Sequence, residues 1–330
     1  MSKLIVLVGI QASGKTTHAE NIAKEENAFV LSSDTIREEM YGPKYNPDSH
    51  TEVFEEMNRR ARVILDGGMN VIYDATNLNR KRRVHLINQV LSADVYEAHY
   101  MNASVTIAEW NDKRRGNKVG PEIISRSYKS LQIPIRGEGW DKVKYFKVNG
   151  GNYLIGDGEE KEKFLLAVEN HEELFHDNII GLIPELKGIF NMPQDSSYHS
   201  FSVSRHTYYV YKHIKERFVA PESERAILLW AALFHDVGKG YCKTFENFKG
   251  ETVRHARFTF HENVSAQIAV QYLKPMGYSH DFIEKVATLV QYHMIPMGAS
   301  EKKMDQVRAT IGDALYEKLL VLHKADTLAK

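Results

Sequence analysis

The chain of 330 residues has a single cysteine, Cys242, so it can form no disulfide within itself, and a reducing compartment is its expected setting. Only nine prolines interrupt it, which leaves room for long helices. It has no excess of either charge, with 43 Lys and Arg against 43 Asp and Glu, and this excludes the global basic field of a general nucleic-acid binder. Long hydrophobic runs are missing as well. The apolar run near the N-terminus stops at Gln11, too short for a membrane helix or signal peptide, so a cytoplasmic protein with no membrane partner is expected. What remains is ordinary globular material, 43% hydrophobic and 26% charged, of a length that suggests two domains. Histidine is unevenly spread, with eleven of fifteen after residue 150.

The first half is organised around Leu4-Ile-Val-Leu-Val-Gly9 and the residues that follow it, an apolar strand leading into G-x-x-x-x-G-K-T. In this P-loop pattern Gly9 and Gly14 let successive backbone N–H groups face a polyphosphate at a helix N-terminus. Lys15 is expected to reach the β- and γ-phosphates of ATP and Thr16 to hold Mg²⁺, with Thr17 beside them. Residues 28–34 read as a second strand, and 70–74 as a third that ends in Asp74, where a carboxylate can support the Mg²⁺ shell. Asp34 stands where a carboxylate can take the proton of an attacking hydroxyl, and Arg37, one helical turn on, can grip an acceptor phosphate. Asn77 can orient groups in the site, and the basic run Arg80–Arg83 is either a solvated face or a contact to an anionic acceptor. Beyond a fourth strand, a helix pair carrying Lys113-Arg114-Arg115 and Arg126 reads as a lid that neutralises charge and excludes water.

These motifs, S-S-D-x-x-R, D-A-T-N-L-N-R-K-R-R and K-R-R-G-N-K-V-G-P-E-I-I-S-R-S-Y-K-S-L among them, resemble the kinase domain of phage-type polynucleotide 5′-kinases over about residues 1–135. The resemblance implies transfer of the ATP γ-phosphate to a 5′-hydroxyl end. It assigns phosphate and Mg²⁺ binding to Lys15 and Thr16, the general base to Asp34 and the acceptor phosphate to Arg37. Arg126 with Arg114 or Arg115 belongs to the lid. One extra residue in Lys113-Arg-Arg-Gly116 leaves both arginines open.

Periodicity weakens over residues 137–163, where glycines cluster at 137, 139, 150, 151, 156 and 158, and residues 143–153 fit one hairpin. The boundary is expected near residue 160, giving domains 1–160 and 161–330. The first is expected to be an α/β P-loop domain with a parallel sheet. The second reads as all helix, over 163–170, 198–216, 223–235, 263–273, 281–293 and 311–329. Within it lie His206, His235-Asp236, His261, His293 and Asp326, residue types that bind transition metals or Mg²⁺.

Gln194-x-x-x-Tyr-His199, His206-Thr, Leu233-Phe-His-Asp-Val-Gly-Lys239, Arg257-Phe-x-x-His261 and Ala325-Asp326 resemble the HD-domain phosphohydrolases over about 175–330, notably those attached to RNA end-processing enzymes and tRNA nucleotidyltransferases. The resemblance makes His206, His235, Asp236 and Asp326 the ligands of a first divalent ion such as Mn²⁺, Ni²⁺, Co²⁺ or Zn²⁺. In two-metal forms His261 and His293 hold a second and Asp236 bridges; the ions activate water for attack on phosphorus. Lys239 would contact the substrate phosphate, and His199 and His255 can stand behind the ligands. Phe260 occupies a position where glycine is common. A 5′-kinase joined to a phosphohydrolase is expected to act on nucleic-acid ends, RNA and tRNA in preference, and to feed an RNA ligase. The alternatives are a small-molecule or nucleotide kinase fused to an HD nucleotide phosphohydrolase, or to an HD module that only binds nucleotide and regulates.

Overall fold

The computed structural model describes residues 1–42, 50–116, 118–148, 183–196 and 200–329. It divides into two compact units, Met1–Gly151 and Asn152–Lys330. The expected helix at 163–170, the boundary near 160, the glycines from 150 to 158 and His199 lie outside the described residues.

The first unit is a five-stranded, wholly parallel sheet in the order β2-β3-β1-β4-β5. Its strands are β1 (Lys3–Val8), β2 (Ala28–Ser32), β3 (Asn70–Asp74), β4 (Val95–Asn102) and β5 (Lys142–Lys147). Leu4 to Val8 are wholly buried, as expected of a strand covered on both faces, which has no reason to alternate. The edge strand β2 is only partly buried. β1 leads into α1 (Lys15–Ala23), and the chain moves to one side of β1 before returning to place β4 on the other. This reversal opens a crevice at the C-terminal strand ends, where α/β sheets bind ligands. Around it come α2 (Ser33–Tyr41), α3 (His50–Asp66), α4 (Arg80–His85), α5 (Val105–Asp112) and α6 (Pro121–Ser130).

The hairpin expected over 143–153 does not form in the described part of that stretch. Lys142–Lys147 instead pairs parallel with β4, from Glu97 beside Lys142 to Asn102 beside Lys147. Its alternating Val143 and Tyr145 are buried against the sheet, and the nearby glycines misled the reading toward a turn.

The second unit is mostly helical: α7 (Glu185–Ile189), α8 (Val203–Arg217), α9 (Glu222–Phe234), α10 (Lys239–Cys242), α11 (His261–Leu273), α12 (His280–Tyr292), α13 (Glu301–Ile311) and α14 (Asp313–Leu328). α11 is buried along almost its whole length and packs on α12, which also meets α9 and α14. Ser202, Ser279 and Ser300 cap α8, α12 and α13 by accepting backbone N–H groups. Two features depart from the all-helical expectation. Residues 311–329 are not one helix, because Ile311 closes α13 and Gly312, at φ 80, separates it from α14. A short antiparallel hairpin, β6 (Thr244–Glu246) and β7 (Thr252–Arg257), stands between α10 and α11.

Candidate functional site

In the first unit a cleft is lined by the loop from Gln11 to Thr17, by Asp34 and Arg37 at the start of α2, by Asp74 to Asn79 after β3, and by Arg115, Gly116 and Lys118. Gly14 turns the loop at φ 81 into α1, whose first turn has no side-chain cap, so its N–H groups are available to an anion. The buried Lys15 ammonium donates to the Ile10 carbonyl oxygen at 2.7 Å, and burial pushes its pKa down to about 8. Thr16 donates its hydroxyl to Asp74 Oδ2 at 2.8 Å. Burial raises the Asp74 carboxyl above its usual range, against the pull of Lys15. A hydroxyl and a carboxylate side by side under a phosphate-binding loop fit Mg²⁺, and the loop fits the polyphosphate of ATP.

Across this cleft the exposed Asp34 carboxylate receives Arg37 at 2.8 Å and has Arg115 at 4.0 Å. Arg114 turns away and stacks on Trp110, so Arg115 is the arginine that faces the site. Arg126 lies exposed on α6, and it and Gly9 are not among the lining residues. Asn111 donates to the Ala12 carbonyl oxygen at 2.9 Å, which ties the end of α5 to the loop.

The basic run divides in two. Arg83 is buried and holds Glu138 through Nη2 at 2.6 Å and Nε at 2.8 Å, while Arg80 meets the same carboxylate at 3.0 Å. Burial would raise Glu138, but these guanidiniums hold it below its ordinary value. This buried cluster fastens α4 to the segment before β5 and engages both guanidiniums, whereas Arg82 lines the cleft. Asn77 is also structural in part, since its amide donates to the Leu7 carbonyl oxygen at 2.7 Å.

The second unit gathers all six expected ligands in its interior. Each of the four histidines donates Nδ1–H to a backbone carbonyl: His206 to Ala329, His235 to Ala232, His261 to Phe258 and His293 to Val290, at 2.7–2.8 Å. A carbonyl only accepts, so the proton belongs on Nδ1 and the Nε2 lone pairs converge. His206 and His235 bring Nε2 atoms within 3.2 Å of each other, as do His261 and His293. Asp236 lies between the pairs, with Oδ2 3.5 and 3.3 Å from the first and Oδ1 3.2 and 3.8 Å from the second. Asp326 Oδ1 meets His206 Nε2 at 2.9 Å. Facing lone pairs at these distances repel, and a divalent cation in each lobe turns repulsion into ligation. The donor set therefore fits one divalent cation at His206, His235 and Asp236 and another at Asp236, His261 and His293. Burial opposes the charge on Asp236, but the Lys239 ammonium holds its carboxyl well below the usual range. Burial also pushes the His293 imidazole down to about 3, keeping it neutral as a ligand must be.

Residues 4–130 match the family model of an AAA domain, and residues 197–329 that of the HD domain. The chain thus carries an AAA-like P-loop domain followed by an HD-like domain. An L-seryl-tRNA(Sec) kinase of Methanococcus maripaludis is 27% identical over 144 residues, which are 42% of this chain and 56% of that protein. The chain thus spans about half the length of this curated relative. Among solved structures, the Pnkp1/Rnl/Hen1 RNA repair complex has a chain 22% identical, with TM-score 0.35, over 40% of this chain and 44% of that one. A gluconokinase from Sinorhizobium meliloti 1021 is 18% identical, with TM-score 0.33, over 45% and 84%. At such TM-scores neither structure bears on substrate or partner.

In the HD domain several contacts that position the working residues were invisible in sequence. Lys239 is buried and bonded to both Asp236 Oδ2 and Gln194 Oε1 at 2.8 Å, so Gln194 sets the position of the lysine. Gly238 is where the His-Asp turn meets α11: a Cβ there would lie 2.3 Å from the His261 carbonyl oxygen. The four carbonyls that orient the imidazoles leave no side-chain signal. His255 is exposed on β7 and stands outside the ligand cluster. Among the described residues no helix is long and apolar enough to cross a membrane.

Proposed function

We propose that the AAA-type domain transfers the γ-phosphoryl group of ATP to the 5′-hydroxyl end of a polynucleotide, RNA in preference. The HD domain removes the 2′,3′-cyclic or 2′/3′-terminal phosphate, so that both ends of a broken strand, including tRNA, are made ready for an RNA ligase. The observation that carries the reading is Asp34, an exposed carboxylate in the same cleft as Lys15 and held by Arg37. Asp34 takes the proton as the acceptor oxygen bonds to the γ-phosphorus and the bond to the ADP oxygen breaks. Arg37 grips the acceptor's neighbouring phosphate, and Arg115 with Lys15 offsets the charge on the transferred group. Mg²⁺ held by Thr16 and Asp74 would add charge stabilisation.

In the HD domain His206, His235, Asp236 and Asp326 would hold one divalent ion and His261 and His293, with Asp236, the other. Bound there, such ions supply an activated water at neutral pH and stabilise phosphoryl oxygens. Lys239, which holds Asp236, would meet the substrate phosphate.

A second reading has a specific support. The relative is named as a kinase of L-seryl-tRNA(Sec), and on that likeness the acceptor of this cleft would be a hydroxyl other than a 5′ end. Acceptor competition separates the two: oligoribonucleotides with 5′-hydroxyls, free nucleosides and small polyols are offered with labelled ATP. The proposal expects label on the oligonucleotide, lowered about 10²–10⁴-fold by Asp34→Ala. Preference for a nucleoside or polyol overturns it.

A further inference from the structure

We propose that the β6–β7 hairpin of the HD domain is a stacking ledge for the single-stranded RNA that leads to the metal cluster, an inference that rests on the nucleic-acid reading of that domain. Exposed rings lie on the hairpin and at both its ends: Phe245 at 41% and Phe248 at 77% on it, Tyr241 at 46% on α10 before it and Phe260 at 43% just before α11. Among the described residues, seven exposed aromatics appear on the whole chain, and these four fall within twenty consecutive positions.

Cations accompany them. The Arg257 guanidinium lies 4.6 Å from the centre of the Phe248 ring, and the Lys243 ammonium 5.9 Å from that of Phe245. Residues 241–260 hold Lys243, Lys249, Arg254 and Arg257 against Glu246 and Glu251, a local excess of two positive charges in a chain with none overall. Aromatic faces interleaved with arginine and lysine are the sequence-tolerant surface that single strands use, with bases on the rings and phosphates on the cations. A protein partner would be served by an apolar patch without this charge.

The hairpin is also placed for the task. It leaves α10, where Lys239 holds Asp236, and it re-enters the cluster at His261. The Lys239 ammonium lies 5.3 Å from the Phe258 ring centre. Ala256 N–H donates to the Asp195 carbonyl oxygen at 3.1 Å, next to the Gln194 that positions Lys239. Phe260, the residue before ligand His261, is held at φ 70, where a bulky side chain costs stability that glycine would not. A ring kept at such a position and half exposed suits the last base before the terminal phosphate.

Two readouts on the full chain test the ledge. In the first, hydrolysis is compared for a short oligoribonucleotide ending in a 2′,3′-cyclic phosphate, for uridine 2′,3′-cyclic phosphate and for bis(p-nitrophenyl) phosphate. Phe248→Ala and Phe245→Ala should raise the KM for the oligonucleotide about five- to 100-fold and leave the other two substrates and the metal content unchanged. Phe29→Ala, at an exposed ring of the other domain, should change none of them. In the second, an oligoribonucleotide carrying 4-thiouridine near its 3′ end is photo-crosslinked and the adducts mapped by mass spectrometry. Adducts within residues 241–260 support the ledge even where no end is hydrolysed, an outcome that sinks the phosphohydrolase reading alone. Hydrolysis of the oligonucleotide with an unchanged KM in the variants, or adducts that all lie elsewhere, overturns the ledge and leaves that reading standing.

Discussion

The Nδ1–H of His206 donates to the carbonyl oxygen of Ala329, 2.8 Å away, so a ligand on α8 is aimed by the backbone just beyond α14. Ala329 is buried, and the same stretch carries Asp326. Residues 328–330 therefore bear on the metal cluster through the Ala329 carbonyl. Their deletion should lower metal affinity about 10–100-fold, as loss of a ligand's orienting partner does, and reduce phosphohydrolase activity in step. Kinase activity should persist. Elemental analysis of dialysed protein beside end-hydrolysis rates checks this, and full metal retention would contradict it.

Gly238 should tolerate no side chain. Its Cβ position lies 2.3 Å from the His261 carbonyl oxygen and 2.8 Å from Ser265 N, both backbone atoms that cannot swing aside. Gly238→Ala should therefore push apart the turn bearing Asp236 and the helix bearing His261, costing about 2–3 kcal/mol or more. A lowered thermal transition for the HD domain, with metal lost, is the expected result. An unchanged transition would mean the approach is looser than described.

Arg114 and Arg115 should separate cleanly. Arg115 faces Asp34 and lines the cleft, whereas Arg114 stacks on Trp110. Arg115→Ala should cut kcat for phosphoryl transfer at least tenfold, and Arg114→Ala should change it less than twofold or threefold. Steady-state kinetics with ATP and an oligonucleotide acceptor decide it; the reverse order would move the lid arginine to Arg114.

Much of this site was legible because its chemistry sits in side chains. The P-loop and the strand over Asn70–Asp74 stood out as buried runs, and six scattered histidines and aspartates suggested one cluster. Backbone acceptors such as Ala329 and Phe258 have no such signature, and the pairing of Arg83 with Glu138 spans 55 positions, so the basic run looked available to substrate. β5 was read as one arm of a hairpin, and the β6–β7 hairpin was missed, for a different reason. Such short strands do not reveal their partners, and tertiary pairing settles what propensity leaves open.

The first unit should show an acid dependence of known sign. Burial raises the Glu97 carboxyl, but Lys144 at 2.8 Å and His99 at 3.2 Å outweigh it and bring it down to about 2. A carboxyl depressed on folding stabilises above its ordinary value near 4.5, and that contribution fades as pH falls toward the folded value. Glu97→Gln should thus be less stable than the parent at pH 7, with the gap narrowing between pH 4.5 and 3. Thermal denaturation across that range measures the gap, and a constant difference would count against the ion pairs as its source.

The most direct test uses one RNA with a 5′-hydroxyl and a 2′,3′-cyclic phosphate, incubated with ATP, Mg²⁺ and a transition-metal ion, with both ends resolved over time. The parent protein should add phosphate at the 5′ end and clear it from the other. Lys15→Ala should lose only the first activity and Asp236→Ala only the second. Loss of both activities in either variant, or a parent protein that changes neither end, would contradict two independent sites serving the two ends of one strand.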